Sequence, residues 1–201
     1  MPINTPILLT WLRIVAIPIF VAVYYLPDTW LSPVAKNWTA MGIFSAAAIT
    51  DWLDGYLARK WGETSAFGAF LDPVADKLMV TSVMVFMVAL GRVPAWLVVV
   101  LIARDLAITG LRSIASSEGI VIAASRGGKI KTALQLVGLT LLLVHFRYPL
   151  LGLGISIDYN SAGLGLLYIS LAASLFSGMD YVVVFFRTIG ESNTESPPPS
   201  A

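Results

Sequence analysis

The 201-residue chain is 57% hydrophobic and only 12% charged, whereas soluble domains usually carry about 25% charged residues. This deficit of charge excludes an ordinary water-soluble domain and predicts a chain that faces lipid. The net charge of +1 gives no support for nucleic-acid binding, and the absence of cysteine excludes disulfides, thiolate metal sites and thiol nucleophiles. His145 is the single histidine, and we expect it to be an interfacial residue rather than a metal ligand.

Six apolar segments are long enough to form membrane helices, which take about 20 residues each. The stretch Met1–Pro6 lacks the basic residues of a signal peptide, so we expect the first helix to be retained. Turn-forming residues separate the segments, as at Arg126-Gly127-Gly128. The sequence therefore predicts an all-α integral membrane protein with six transmembrane helices, at approximately 8–27, 38–58, 72–90, 94–116, 130–147 and 162–187.

Basic residues predict the orientation of these helices, because they accumulate on the cytoplasmic side of membrane proteins. The richer side holds Arg59, Lys60, Arg126, Lys129, Lys131 and Arg187. The poorer side holds Lys36, Arg92 and Arg147, with Trp30, Trp38 and Trp96 as an aromatic belt. A multi-pass chain with six spans then has both termini in the cytoplasm. Residues 1–190 are predicted to form one membrane domain, and 191–201 a disordered cytoplasmic tail.

Two pairs of acidic residues stand at the junction of the second and third spans. Asp51 and Asp54 are three residues apart, and Asp72 and Asp76 are four apart, so each pair shares one helix face. Because the connecting loop is short, adjacent helices can direct all of these carboxylates to one place. Carboxylate oxygens in such a cluster suit Mg²⁺ or Mn²⁺, and Arg59 lies near enough along the chain to contact a phosphate.

Structural roles for these residues stay open as alternatives. Asp72 followed by Pro73 is also a good helix start, with the aspartate as N-cap. Asp51 and Asp54 could be interfacial charges at a helix end. Gly55 and Gly68 could serve helix packing. All of these residues fall in a single stretch with matched helical spacing, which favours a common function.

The stretch reads D-x-x-D-G-x-x-A-R, then eight residues, then G-x-x-x-D-x-x-x-D. This pattern resembles, without a mismatch, the signature of the CDP-alcohol phosphatidyltransferases. Less specific motifs, similar to those of one branch of the family, extend to about Gln135. They are Asn4-Thr5-Pro6, Leu9-Thr10, Arg13, Lys77 after Asp76, Ala103-Arg104-Asp105, Gly110-Leu111-Arg112 and Gly128-Lys129-Ile130-Lys131-Thr132. In many members Arg104 is followed by glutamate, so Asp105 is a mild departure.

The resemblance implies a six-helix CDP-alcohol phosphotransferase fold, usually a homodimer, in the bacterial inner membrane with its site facing the cytoplasm. It implies two divalent ions, Mg²⁺ or Mn²⁺, and CDP-diacylglycerol as the donor. By position it assigns the metal ligands to Asp51, Asp54, Asp72 and Asp76, with Asp76 also the catalytic base. The residues that it places against CDP-diacylglycerol are Gly55, Ala58, Arg59, Ser65 and Gly68.

A basic cluster predicts that the acceptor alcohol is an anion. Arg104 and Arg112 lie eight residues apart in the fourth span and can face one side. The cluster continues with Arg126, Lys129 and Lys131 at the same membrane face. A phosphate suits such a set, and the branch resemblance implies sn-glycerol 3-phosphate, giving phosphatidylglycerophosphate and CMP.

Other roles for the basic residues and for the chain stay open. Arg126, Lys129 and Lys131 could enforce topology or touch lipid headgroups, and Arg104 could form a structural ion pair with Asp105. Another family member would make cardiolipin, phosphatidylserine or phosphatidylinositol phosphate. A divalent-cation transporter would also carry intramembrane carboxylates, although we see no repeat. A non-catalytic lipid-binding scaffold is the third alternative.

Overall fold

Long helices cover nearly all of the six predicted apolar segments within the described part of the chain. The computed structural model describes residues 5–61, 66–117, 126–149 and 156–195, and describes side chains for 11–50, 75, 77–117, 127–149 and 156–188. Within these ranges the chain forms six helices. They are α1 Thr5–Tyr25, α2 Pro33–Trp61, α3 Ala66–Ala89, α4 Ala95–Ser117, α5 Arg126–Val144 and α6 Tyr159–Glu195.

Five of the six described helices begin earlier than the sequence predicts, and the early starts of α3 and α5 change how their motifs are interpreted. Helix α3 starts at Ala66, so Asp72 lies in its second turn and is not its N-cap. The apolar residues before Asp72 extend the helix, which a reading of the Asp-Pro pair alone does not reveal. Helix α5 starts at Arg126, so Gly127 and Gly128 belong to its first turn rather than to an interhelical turn. The alternative interpretation of Asp72 as the N-cap of α3 is therefore wrong.

Helix α6 is longer than a bilayer requires. Its 37 residues correspond to about 55 Å at the usual rise of an α-helix, whereas the hydrocarbon core is about 30 Å thick. The helix continues to Glu195 and so includes 191–195 of the segment predicted as a tail. Residues 196–201 lie outside the described residues.

A short hairpin that the sequence did not predict precedes α6. Strand β1 (Arg147–Pro149) pairs antiparallel with β2 (Ser156–Asp158), with Arg147 opposite Asp158. The Oδ1 atom of Asp158 accepts the backbone amides of Asn160 and Ser161 at 3.1 Å each, which caps the first turn of α6. The amide of Ser161, assisted by Arg147, holds the pKa of Asp158 below its usual range.

Helices α5 and α6 pack against each other more extensively than any other described pair. Their backbones meet where two glycines face each other. A Cβ atom added at Gly163 would lie 2.7 Å from the carbonyl oxygen of Gly138 and 2.8 Å from Cγ of Leu142. Small residues allow this close approach, as in many membrane helix pairs.

A polar network ties four parts of the bundle together at the end that carries the hairpin. Arg92, between α3 and α4, donates through Nη1 to the carbonyl of Leu142 and through Nη2 to Oδ1 of Asn37, both at 2.9 Å. The hydroxyl of Tyr24 donates to the same Asn37 oxygen at 3.1 Å. Burial lowers the pKa of Arg92. The opposite end, where α2, α4 and α6 finish and α3 and α5 begin, carries the candidate site.

Two described helical stretches are long and apolar enough to cross a membrane, Gly127–Val144 and Tyr159–Thr188. Among the side chains that the structure describes, the apolar stretches of α1 and α3 are Trp11–Tyr25 and Lys77–Ala89, which are shorter. Large apolar side chains nevertheless lie exposed on several helices, for example Val99, which is 62% exposed, and Phe176, which is 68% exposed. An apolar exterior of this kind is unusual for a protein in water.

Candidate active site

A cavity of about 570 Å³ opens between α3, α4, α5 and α6. Among the described residues that line it, five are basic and one is acidic, Asp105. A cavity with this excess of basic side chains suits an anionic ligand, and Asp105 offsets part of the positive charge. The basic residues are Lys77, Arg104, Arg112, Lys129 and Lys131.

Helix α3 joins this cavity to the aspartate motif. Lys77, Val80, Thr81 and Met84 line the cavity, and their spacing places them on one face of the helix. Lys77 follows Asp76 directly, and its Nζ donates to Oγ1 of Thr109 on α4. The described lining of the cavity thus includes the residue that directly follows Asp76, which the motif assigns as base.

Helix α4 contributes both of the arginines that the sequence singled out. Arg104 and Arg112 line the same cavity, as their eight-residue spacing led us to expect. Arg104 approaches the neighbouring Asp105 with Nη1 at 3.3 Å from Oδ1. The Arg104 side chain is 15% exposed, so its charge is held largely away from water.

Helix α5 contributes lysines in two different environments. Lys131 is only 5% exposed, and its Nζ lies 2.5 Å from Oδ2 of Asp105. Lys129 lines the cavity from an exposed position. Arg126 begins α5, and its side chain lies outside those that the structure describes.

Helix α6 supplies lining residues that the sequence reasoning missed. Ser177 and Tyr181 line the cavity four residues apart, on one face of the helix. The guanidinium carbon of Arg112 lies 5.8 Å from the centre of the Tyr181 ring, a cation–π contact. The sequence did offer a signal for these residues, because small polar residues recur at helical spacing in this otherwise apolar helix, at Ser170, Ser174 and Ser177. Lys77 was also missed, although it stands beside Asp76 in the motif.

For the aspartate motif, the structure describes the helical backbone but not the side chains. Asp51 and Asp54 lie in α2 and Asp72 and Asp76 in α3, so the predicted spacings fall on helical backbone. Gly55, Ala58, Arg59 and Gly68 also lie in these helices, whereas Ser65 lies outside the described residues. The side chains of all these residues lie outside those described. Elsewhere in the described chain no group of three or more acidic or histidine side chains could hold a metal ion.

Comparison with known proteins assigns the chain to a class of enzyme. The sequence model of the CDP-alcohol phosphatidyltransferase family matches residues 3–177. The chain therefore belongs to the CDP-alcohol phosphatidyltransferase family, and the resemblance inferred from its motifs is confirmed. Members of this family generally use divalent metal ions. The carboxylates of the aspartate motif supply the oxygen ligands that such ions prefer.

Three relatives of this chain carry the same name. The chain is 42% identical to CDP-diacylglycerol–glycerol-3-phosphate 3-phosphatidyltransferase of Bacillus subtilis (strain 168) over 150 residues, 71% of this chain and 77% of the relative. It is 40% identical to the enzyme of the same name from Escherichia coli (strain K12) over 188 residues, 90% of this chain and 94% of the relative. The enzyme of that name from Shigella sonnei (strain Ss046) matches with the same identity and coverage.

Proposed function

We propose that this chain transfers the phosphatidyl group of CDP-diacylglycerol to sn-glycerol 3-phosphate, releasing CMP and phosphatidylglycerophosphate. The observation that carries the proposal is the basic cavity whose described lining includes Lys77, the residue that follows Asp76 in the chain. A phosphate-bearing acceptor is the ligand that such a cavity suits, and its hydroxyl would then lie toward the aspartate motif. The names of the relatives from Bacillus and Escherichia support the same acceptor.

The acceptor phosphate would bind to cations contributed by two helices, α4 and α5. Arginine can contact a phosphate through two parallel N–H groups, and lysine through a single compact charge. Binding in a partly buried cavity strengthens these contacts, because little water competes for them. The residues proposed to bind the phosphate are Arg104, Arg112, Lys129, Lys131 and, at the start of α5, Arg126.

The donor would bind at the aspartate motif, beside the acceptor cavity. Gly55, Ala58 and Gly68 have little or no side chain and would allow the nucleotide to approach the helix backbone. Arg59 and Ser65 would contact the CDP group. The carboxylates of Asp51, Asp54, Asp72 and Asp76 would hold two divalent ions, Mg²⁺ or Mn²⁺, which supply charge neutralisation for the diphosphate.

Asp76 would perform the proton transfer. Its carboxylate would accept the proton of the acceptor hydroxyl as that oxygen attacks the phosphorus that bears diacylglycerol. The bond from this phosphorus to the oxygen of CMP then breaks, and CMP leaves with the bonding electrons. Lys77 and the cations of the cavity would hold the acceptor in line for this attack.

An acceptor screen tests the proposal directly. Purified protein in detergent with CDP-diacylglycerol and Mg²⁺ should release CMP when sn-glycerol 3-phosphate is added, and mass spectrometry should detect phosphatidylglycerophosphate. Serine, an inositol phosphate and phosphatidylglycerol serve as matched acceptors. Turnover with one of these instead would place the chain in another branch of the family. Metal uptake into liposomes without CDP-diacylglycerol would favour a transporter.

We also propose that the six helices cross the bacterial inner membrane, with the cavity and both termini on the cytoplasmic side. Helix α4 is on average at least as apolar as α6, although Arg104, Asp105 and Arg112 all lie within it. This average hydrophobicity supports a membrane-spanning α4 in spite of its three charges. Lys36, Arg92 and Arg147 lie at the opposite end with the hairpin, which agrees with the predicted charge asymmetry.

The absence of native cysteine makes the topology simple to measure. Single cysteines introduced as Ser156→Cys in the hairpin and Ser117→Cys at the end of α4 should differ in reactivity toward a membrane-impermeant maleimide. We expect labelling of the first in intact cells and of the second only after permeabilisation. The reverse pattern would invert the topology. A homodimer, implied by the family resemblance, would be detected by light scattering of the protein in detergent.

A further inference from the structure

The guanidinium of Arg104 is held from one side by helix α6. Its Nε donates to the carbonyl oxygen of Ser174 at 2.8 Å, and its Nη2 donates to Oγ of Ser177 at 2.7 Å. These two atoms form one edge of the planar guanidinium group, so α6 binds Arg104 in the forked geometry that arginine usually offers to a carboxylate. The edge that remains, toward Nη1, approaches Asp105.

A glycine makes this contact possible. A Cβ atom added at Gly178 would lie 3.1 Å from Nε of Arg104 and 3.6 Å from Nη2. The 3.1 Å distance is closer than ordinary carbon–nitrogen contact, so a side chain at position 178 would displace the guanidinium edge that α6 binds by a few tenths of an ångström. Gly165, on the same helix, has no atom within 4 Å of an added Cβ.

The same face of α6 also supports Lys131. Oγ of Ser170 donates to the backbone carbonyl of Lys131 at 3.0 Å, and Asp105 joins the side chains of Lys131 and Arg104. The positions of these two cations are therefore coupled through one carboxylate. A shift of Arg104 away from α6 would be transmitted to Lys131.

We propose that Ser177 and Gly178 are positioning residues for Arg104, and that they set the affinity for the acceptor phosphate by fixing which edge of the guanidinium can bind it. The inference rests on the proposed function, because it assumes that the cavity holds the acceptor. It assigns a role in acceptor specificity to α6, the helix in which the sequence motifs offered none.

Steady-state kinetics of matched glycine variants test the inference. Gly178→Ala should raise KM for sn-glycerol 3-phosphate about fivefold, with kcat and KM for CDP-diacylglycerol changed by less than about twofold. Ser177→Ala should have a similar effect, and Ser177→Thr, which keeps the hydroxyl, should lie nearer to wild type. The control Gly165→Ala should leave all three constants unchanged. Equal constants for Gly178→Ala and Gly165→Ala would overturn the inference.

A double-mutant cycle tests whether these residues act through Arg104. Lysine at position 104 cannot form the forked contact, so Gly178→Ala should add less than about twofold to KM in an Arg104→Lys background. A full fivefold effect in that background would refute a positioning role. Titration calorimetry with inorganic phosphate provides a readout that does not need turnover. Weaker phosphate binding by Gly178→Ala than by Gly165→Ala supports the inference even if sn-glycerol 3-phosphate is not the acceptor, and equal binding refutes it.

Discussion

Lys131 and Asp105 form an ion pair across the α4–α5 interface, with Nζ 2.5 Å from Oδ2. The side chain of Lys131 is 6% exposed and that of Asp105 is 25% exposed. Burial removes much of the hydration of this ammonium group, and the attraction of the carboxylate offsets part of that cost. The pair therefore supports the stability of the bundle as well as the charge balance of the cavity.

Asp105→Asn should lower the stability of the protein. Removing one partner of a buried pair costs about 3–5 kcal/mol, and the partial exposure of Asp105 reduces our expectation to about 2 kcal/mol. Thermal unfolding followed by tryptophan fluorescence measures the change. Arg147→Gln breaks an ion pair at an arginine that is 73% exposed, so its effect should stay below about 1 kcal/mol. Equal losses in the two variants would contradict this account of Asp105.

Asp76→Asn should abolish proton transfer while leaving the fold intact. The amide cannot accept the proton of the acceptor hydroxyl, so we expect kcat to fall by about a thousandfold. CMP release measures kcat, and gel filtration in detergent checks the fold. The control is Asp180→Asn, the same change at an exposed position of α6, which should retain wild-type turnover. Substantial activity in Asp76→Asn would remove Asp76 from the role of base.

Gly163→Ala should destabilise the α5–α6 pair. The added methyl group would lie 2.7 Å from the Gly138 carbonyl oxygen and 2.9 Å from the Leu142 amide nitrogen, so backbone atoms must move. We expect a loss of about 1–3 kcal/mol, typical of overpacking. Gly165→Ala, two residues away in open space, should instead raise stability by up to about 1 kcal/mol, because alanine favours helix. Changes of the same sign in both variants would argue against the close contact.

Arg92→Met should separate stability from catalysis. It removes the hydrogen bonds to Leu142 and Asn37, and we expect a loss of about 2–4 kcal/mol, since buried acceptors lose a charged donor. The network lies at the end of the bundle opposite the cavity, so KM for both substrates should remain at wild-type values at a temperature where the variant is folded. Kinetics combined with thermal unfolding measure both effects. A rise in KM for sn-glycerol 3-phosphate would show that the two ends are coupled.

The sequence predicted the six helices and the basic cavity, because both follow from patterns within one segment. Apolar runs indicated each helix, and the helical spacing of Arg104 and Arg112 placed both on one face. The early start of α3 was missed because Asp72 followed by Pro73 is typical of a helix N-terminus. The helix in fact begins six residues earlier, at Ala66. The start of α5 was missed because Gly127 and Gly128 favour turns locally and are helical only in the context of the folded chain.

Residues that act across helices could not be predicted in this way. Ser177 and Gly178 look like ordinary small residues of a membrane helix, and their contact with Arg104 spans more than 70 positions of the chain. The hairpin was missed because each strand has only three residues, too few to show an alternating pattern. Lys77 was quoted with the aspartate motif, but its place in the cavity depends on how α3 faces α4.

The position of Ser177 in the cavity depends on the angle at which α5 and α6 cross at their glycine contact. Gly163 and Ser177 are 14 residues apart on α6, which corresponds to a distance of about 21 Å along the helix axis. A change of about 5° in the crossing angle at the glycines would move Ser177 by about 2 Å over that length. Such a displacement would break its 2.7 Å bond to Arg104. The side-chain volume tolerated at one end of the α5–α6 pair thus limits how accurately the other end can position Arg104.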